Sequence, residues 1–246
     1  MSQAGLSQAD LNLLRQYDTP TICNVVEIFA LQSQTKGYMD GRIRACFPEM
    51  PPMVGYAVTA TWRAAFPAPA GGYMETFDAQ VATFADVPGP PVVVFQDMNT
   101  PPVAASFGEI MCATYQAFGA QGLVTGGSAR DLEQVRALGF PAFSDGVNPS
   151  HGYGHISDLQ QPVQVGGLTV RPGTLLHGDA NGVTAIPNAI AADVAHACGE
   201  YVAAEDIVLN YLKQGNPTPA GLAQAWAQAK AQIQALTERV QAKRKA

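Results

Sequence analysis

Two glycines followed closely by a charged pair form the segment of this chain with the most chemical content. In GLVTGGSARDLEQV (122–135) an apolar run, LVT at 123–125, ends in Gly126-Gly127 and delivers Arg130 and Asp131 to the start of a helical pattern. Strand ends are where α/β proteins place ligands. Adjacent glycines let backbone approach a ligand closely. A guanidinium is a planar cationic fork for a carboxylate or an enolate, and an aspartate is a hard oxygen ligand for Mg²⁺ or Mn²⁺. The same residue types would also serve a capped helix with a surface ion pair. A second segment, SFGEIMCA (106–113), opens another helix. The free N–H groups and positive dipole end of such a helix suit a carboxylate. Glu109 lies in its first turn, where ordinary dipole compensation also favours an acid.

Other candidates are weaker. His151 and His155 lie in the polar stretch SDGVNPSHGYGH (144–155), and imidazole titrates near neutrality, so either is a candidate substrate contact or proton carrier. Asp179, between His177-Gly178 and the Asn181-Gly182 turn, reads as a turn cap rather than a ligand. The five lysines are Lys36, in an expected loop, and Lys213, Lys230, Lys243 and Lys245 in the C-terminal helical region. None falls at an expected core strand end, which disfavours Schiff-base chemistry. Cys23, Cys46, Cys112 and Cys198 are far apart, without CxxC or Cys/His clustering, and suggest neither disulfides nor zinc. Gly71-Gly72 and the remaining glycines build neither GxGxxG nor GxxxxGK[ST], so nothing supports nucleotide binding.

The elements that must position these residues read as α/β. Ser7-Gln8-Ala9-Asp10 predicts a capping box and a short helix. Thr19-Pro20 predicts an N-cap followed by proline at the first helical position. The second helix carries Ile22, Val25, Val26 and Phe29 on one face and should stop before Lys36-Gly37. VGYAVTATW (54–62) and VVVF (92–95) read as strands, with loop over 64–73. Helices are expected over 108–119 and 131–138. The polar stretch beyond Phe143 reads as loop, and Gly166-Gly167 within VQVGGLTV predicts a hairpin. Leu175-Leu176 and Val183–Ile186 follow as short strands. Two helices, about 188–213 and 218–243, are divided by Gly215-Asn216-Pro217.

With 246 residues, 47% hydrophobic and 14% charged, the chain is long enough to bury a sizeable core, and one domain over 1–246 is expected. A formal charge of -6 gives no broad attraction for phosphate backbones, so no nucleic-acid partner is expected despite the basic tail at Arg239–Lys245. The first residues lack a basic n-region and apolar h-region, and no apolar run is long enough to span a bilayer, so a cytoplasmic protein without membrane partners is expected.

Glu109, twenty intervening residues and Arg130-Asp131 resemble the acid-X20-Arg-Asp signature of the RraA-like proteins and the metal-dependent 4-hydroxy-4-methyl-2-oxoglutarate/4-carboxy-4-hydroxy-2-oxoadipate aldolases. GYAVTATW resembles that family's first core strand, and VQVGGLTVRPGTLLHGDANGVTAIP (163–187) its hairpin and glycine-aspartate turn. The resemblance covers roughly residues 10–215 and leaves 216–246 as a C-terminal helical extension. It implies a swivelling β/β/α sandwich and homotrimers or hexamers with sites between subunits. It also implies a Mg²⁺- or Mn²⁺-dependent lyase that cleaves a 4-hydroxy-2-keto acid through a pyruvate enolate and decarboxylates oxaloacetate. By position, Asp131 would hold the metal, Glu109 would bind it directly or through water, and Arg130 would contact the keto oxygen. The amides of Gly108, Glu109, Ile110 and Met111 would receive the substrate carboxylate. The family often has aspartate where this chain has Glu109. A neighbouring subunit's glutamate is also used in the aldolases, with Glu200 and Glu205 as candidates. The alternative within the same family is a non-catalytic, protein-binding regulator of a ribonuclease.

Overall fold

The computed structural model describes residues 5–68 and 76–245. The loop expected over 64–73 is without regular structure as far as residue 68, and the rest of it, with Gly71-Gly72, lies outside the described residues. Ser7 Oγ accepts the Asp10 N–H at 3.1 Å and starts α1 (Gln8–Leu14), as the capping box predicts. The next helix, α2 (Thr19–Ile28), is capped one residue earlier than expected. Asp18 Oδ1 accepts the Thr21 N–H at 2.9 Å, so Thr19 is already helical and faces inward.

The chain continues through β1 (Arg44–Ala45), β2 (Met53–Arg63), α3 (Phe77–Ala82) and β3 (Pro91–Asp97). Next come β4 (Ala105–Phe107), α4 (Glu109–Ala117), β5 (Leu123–Thr125), β6 (Ser128–Ala129) and α5 (Leu132–Ala137). Strands β7 (Ala142–Ser144), β8 (His155–Leu159), β9 (Val163–Val165), β10 (Leu168–Val170), β11 (Leu175–Asp179) and β12 (Gly182–Ile186) precede α6 (Ala191–Lys213) and α7 (Pro219–Lys245). The helix expected from residue 188 opens with a 3-10 turn, Asn188–Ile190. The stretch 155–159, expected to be loop at its start, pairs antiparallel with the second half of β2 as β8.

The main sheet runs β1-β7-β5-β3-β2-β11-β12, with β8 also on β2. Strands β2, β3, β5 and β7 are mutually parallel, and β1, β8, β11 and β12 join antiparallel. Alternation along β3 makes the layers. Val93 and Phe95 pack with Cys112 and Tyr115 of α4 and Val135 of α5. Val92 and Val94 pack with Val163, Val165 and Val170 of the β9–β10 hairpin. Sheet, hairpin and helices therefore form a β/β/α sandwich, and both faces of β3 are apolar because both are covered. Burying a side chain such as Phe95 contributes roughly 1.5–3 kcal/mol. The hairpin turns at Gly166-Gly167, whose φ values of 53° and 75° are those the dipeptide predicts.

A further layer packs α1, α2 and α6 against Val54, Tyr56, Leu175 and Ile186. The predicted face of α2 is the one it buries: Ile22, Val25, Val26 and Phe29. Gly215 and Asn216, at φ 79° and 48°, turn the chain back, and α7 packs along α6 through Ala225 and Ala229. The far end of α7 docks on α2, where Gln241 and Arg244 donate to the carbonyls of Ile28 and Phe29 at 2.8 Å each. Among the described residues no helix is long and apolar enough to cross a membrane.

Candidate active site

The two segments singled out for chemistry meet through two very short strands. β4 and β6 pair in parallel, Ala105 with Ser128 and Phe107 with Ala129, forming a small sheet of their own. Each then runs directly toward a helix start, Gly108-Glu109 into α4 and Arg130-Asp131 into α5. Parallel pairing sends both exits the same way, and this is the physical content of the twenty-residue spacing. β6 is held from its other side as well, by the Ala129 N–H to the Gly146 carbonyl at 2.9 Å and the Asn148 N–H to the Ala129 carbonyl at 3.0 Å.

Asp131 is not an ordinary helix cap. Its backbone is left-handed, φ 55° and ψ 40°, and its carboxylate caps nothing in its own helix. It turns instead to α4: Oδ2 accepts the Glu109 N–H at 3.1 Å and lies 3.7 Å from Arg130 Nε. A non-glycine residue in this region costs of order 1 kcal/mol, and such strain concentrates at functional sites. Gly108 makes the arrangement possible. A Cβ there would stand 2.5 Å from Asp131 Oδ2 and 2.9 Å from Arg130 Nε. Because the Glu109 amide is engaged by Asp131, Ile110 and Met111 are the first-turn N–H groups of α4 left for a ligand.

Arg130, Gly108, Ile110 and Met111 line a cavity of about 50 Å³ whose other walls are Trp62, Ala105, Phe107 and His151. That is room for one small polar group. The cavity collects the arginine, the α4 start and one of the two candidate histidines. His155 sits in β8, pairing with Arg63, and does not line it. Trp62 is 5% exposed, and its Nε1–H has no partner among the described residues. Residue type alone gave no hint of that indole donor. A larger groove of about 800 Å³ lies elsewhere, along Lys36–Tyr38 and the β9–β10 turn, and contains none of the candidate residues.

The glycine pair acts differently from the expectation. Gly126 has space around it. A Cβ on Gly127 would stand 2.6 Å from Asp97 Oδ2 and 2.8 Å from Ser106 Oγ. Gly127 thus allows an approach to the protein's own polar interior, not to a ligand. Asp97, at the end of β3, is buried with one oxygen accepting the Asn99 N–H at 2.8 Å and the other without a partner among the described residues, and burial pushes its carboxyl up from the usual range. In the sequence it is merely the polar end of an apolar run.

The other candidates resolve as follows. Asp179 is a structural cap: Oδ1 accepts from the Asn181 backbone at 2.8 Å, and Oδ2 from the Thr19 N–H at 2.8 Å. Glu200 faces Arg239 of α7 within its own chain. Glu205, on α6, has its carboxyl raised chiefly by burial. Cys112, one turn into α4, is fully buried, and its thiol is pushed far above the ordinary range, so it is not a nucleophile.

Among the described residues no cluster of three or more His, Cys, Asp or Glu could enclose a metal. The donor set of Asp131 and Glu109 does fit a hard cation that keeps several waters and takes its remaining oxygens from a ligand, the usual mode of Mg²⁺. It does not fit a closed tetrahedral zinc site.

A β/β/α sandwich with an acid and an Arg-Asp pair at adjoining helix starts, and a small cavity beside them, defines a swivelling α/β protein. The chain belongs to the RraA-like family (Aldolase/RraA), which matches residues 19–185. Over 108 residues it is 34% identical to a protein of Halalkalibacterium halodurans provisionally named 4-hydroxy-4-methyl-2-oxoglutarate aldolase, covering 43% of this chain and 50% of that one. The match therefore spans about half the length of that relative. A protein of the same provisional name from Ectopseudomonas mendocina is 30% identical over 127 residues, 49% of this chain and 78% of that one. Among solved structures, a protein from Pseudomonas syringae pv. tomato has TM-score 0.71 at 23% identity, covering 92% of this chain and 96% of its own. RraAS2 of Streptomyces coelicolor, described as an unusual member of the RNase ES inhibitor RraA protein family, has TM-score 0.64 at 20% identity, covering 83% and 97%. At these identities the structures establish the fold alone.

Proposed function

We propose that this chain is a divalent-metal-dependent lyase that cleaves the C3–C4 bond of a 4-hydroxy-2-keto acid and also decarboxylates oxaloacetate. One observation carries the reading: the β4–β6 pair brings Arg130 and the open amide end of α4 to one small cavity, with the strained Asp131 beside Arg130 and bonded to the Glu109 amide. Two relatives with aldolase names at 30% and 34% identity support the same class.

In this reading Asp131, with Glu109 directly or through water, holds Mg²⁺ or Mn²⁺, and the Ile110 and Met111 amides orient the substrate carboxylate. The cation supplies Lewis-acid polarisation of the keto oxygen when bound. Arg130 offers fixed positive charge where the enolate oxygen develops. Bond cleavage leaves its electron pair in that enolate, which becomes pyruvate on protonation. Retro-aldol cleavage and decarboxylation share this intermediate and differ in the fragment lost.

Assembly into homotrimers or hexamers belongs to the proposal. Ile110, at the cavity's rim, is 80% exposed and is a residue that a neighbouring subunit would cover in such an assembly.

The test is pyruvate release from oxaloacetate and from 4-hydroxy-4-methyl-2-oxoglutarate, with Mg²⁺ or Mn²⁺, with EDTA, and with Arg130→Ala at equal metal. Metal-dependent turnover lost in the variant is the expected result. Full activity in EDTA, or an Arg130→Ala rate equal to wild type, would contradict it.

A further inference from the structure

Retro-aldol cleavage needs a group that takes the proton of the 4-hydroxyl, and none of the roles above supplies one. Asp131 turns one oxygen to the Glu109 amide and Arg130, and Glu109 does not line the cavity. Of the residues that do, His151 is the one whose side-chain type can act as a base near neutrality.

Its turn is built to present it. Ala105 N–H donates to the Ser150 carbonyl at 2.8 Å, and Tyr153 N–H to the Ala64 carbonyl at 3.0 Å, tying both ends of the turn to the strands beside the site. Gly152, at φ 53°, lies so close to the Ala64 carbonyl that a Cβ would stand 2.7 Å from its oxygen. Gly154 lies against the Trp62 ring, with no room for a Cβ. The imidazole orientation is set too. Nδ1 lies 2.8 Å from the Gly152 carbonyl oxygen. A carbonyl only accepts, so Nδ1 carries a hydrogen and Nε2 of the neutral ring keeps its lone pair free. A neutral imidazole oriented by a backbone acceptor is the usual arrangement of a general base.

Resting on the lyase reading, we propose that His151 is the proton carrier of this site, its Nε2 taking the 4-hydroxyl proton during cleavage and returning it to C3 of the enolate. As Nε2 gains the proton, the C4–O bond becomes a carbonyl and the C3–C4 bond breaks with its electron pair passing into the enolate. After the carbonyl fragment leaves, the imidazolium gives the same proton to C3. The ring ends neutral, and no other reactant is consumed.

This assignment separates two reactions that share everything else. Oxaloacetate has no 4-hydroxyl proton to lose, so its C–C cleavage does not need the base. His151→Gln should lower retro-aldol kcat about 10²- to 10⁴-fold while changing the rate of oxaloacetate loss by less than about threefold. Arg130→Ala should impair both, and His155→Gln neither. An equal fall in both reactions for His151→Gln, an unchanged retro-aldol rate, or the same separation produced by His155→Gln would overturn the assignment. A second measurement needs no turnover. The chain has four histidines, so the His151 ring signals can be assigned in ¹H NMR as those missing from His151→Gln. They should shift when Mg²⁺ and oxalate, a stable enolate analogue, are added, with oxalate affinity in the variant within about threefold of wild type. Unmoved signals would place the ring away from the ligand and refute the assignment. Wild-type protein inactive on both substrates would instead defeat the lyase reading, and the proton carrier with it.

Discussion

Gly108→Ala perturbs the candidate site with one methyl group and no backbone strain. The glycine has φ -159° and ψ -168°, extended geometry open to alanine, so its conformational freedom is not what the position uses. What it uses is space. The new Cβ would stand 2.5 Å from Asp131 Oδ2, 2.9 Å from Arg130 Nε and 3.2 Å from Arg130 Cγ, whereas ordinary contact begins near 3.4 Å. Asp131 must therefore retreat by about 0.9 Å, and its bond to the Glu109 amide, already 3.1 Å long, must lengthen or break. A misplacement of about 1 Å at a reacting centre costs of order 10²-fold in rate, equivalent to about 2.7 kcal/mol of transition-state stabilisation. Folding should barely notice. Both side chains are about one-third exposed, and a glycine-to-alanine change at a helix N-cap costs less than about 1 kcal/mol. The assay is pyruvate release coupled to lactate dehydrogenase, with urea unfolding alongside. A variant that keeps wild-type kcat/KM at unchanged stability would refute the idea that Gly108, Arg130 and Asp131 work as one packed unit.

Asp131→Asn keeps a residue that tolerates the left-handed backbone but removes the charge, so it should fold as wild type while Mn²⁺ affinity, measured by calorimetry, falls at least about tenfold. His177 gives a pH prediction. It is fully buried between Thr19 Oγ1, 2.9 Å from Nδ1, and the Leu14 carbonyl, 3.2 Å from Nε2, and burial chiefly lowers its pKa. The folded state prefers the neutral ring, so on acidification the unfolded state binds the proton first. Stability is then fully present above about pH 6.5 and is lost as pH falls below it, by at most about 1.4 kcal/mol per pH unit. Urea midpoints between pH 5 and 8 should slope accordingly, and the slope should flatten in His177→Gln. Light scattering should give a multiple of 25.9 kDa, with a lower mass for Ile110→Asp; a wild-type monomer would remove the assembly from the account.

Much of the fold was legible because long apolar patterns have one physical solution. VGYAVTATW and VVVF had to be covered strands, Gly166-Gly167 had to turn a hairpin, and Gly215-Asn216-Pro217 had to separate the last pair of helices. Short elements were not legible. β4 and β6 are three and two residues long, too short to show a period, yet their pairing creates the site. β8 begins in a stretch rich in glycine and polar residues, and it is a strand because the long second half of β2 offers it an edge. Thr19-Pro20 resembles a helix start because threonine is a good cap, but Asp18 caps the helix and leaves Thr19 to reach His177 and Asp179.

The site shows the same division. The resemblance to the RraA-like signature pointed to Glu109, Arg130 and Asp131 together, and residue type made His151 a candidate. That His151 lines the Arg130 cavity while His155 does not depends on a turn folded over β2, which no local pattern encodes. The left-handed Asp131 is likewise imposed from outside, by the Glu109 amide and the β4–β6 register.

In the proposed site Asp131 holds the metal, and the α4 amides with Arg130 hold the enolate. A crystal structure of the full chain with Mn²⁺ and oxalate tests this most directly, since Mn²⁺ scatters anomalously. The expected result is an anomalous peak within coordinating distance of the Asp131 carboxylate, and oxalate oxygens on the Ile110 and Met111 N–H groups and on Arg130. Mn²⁺ and oxalate bound together anywhere else, or oxalate bound without metal and away from Arg130, would contradict it.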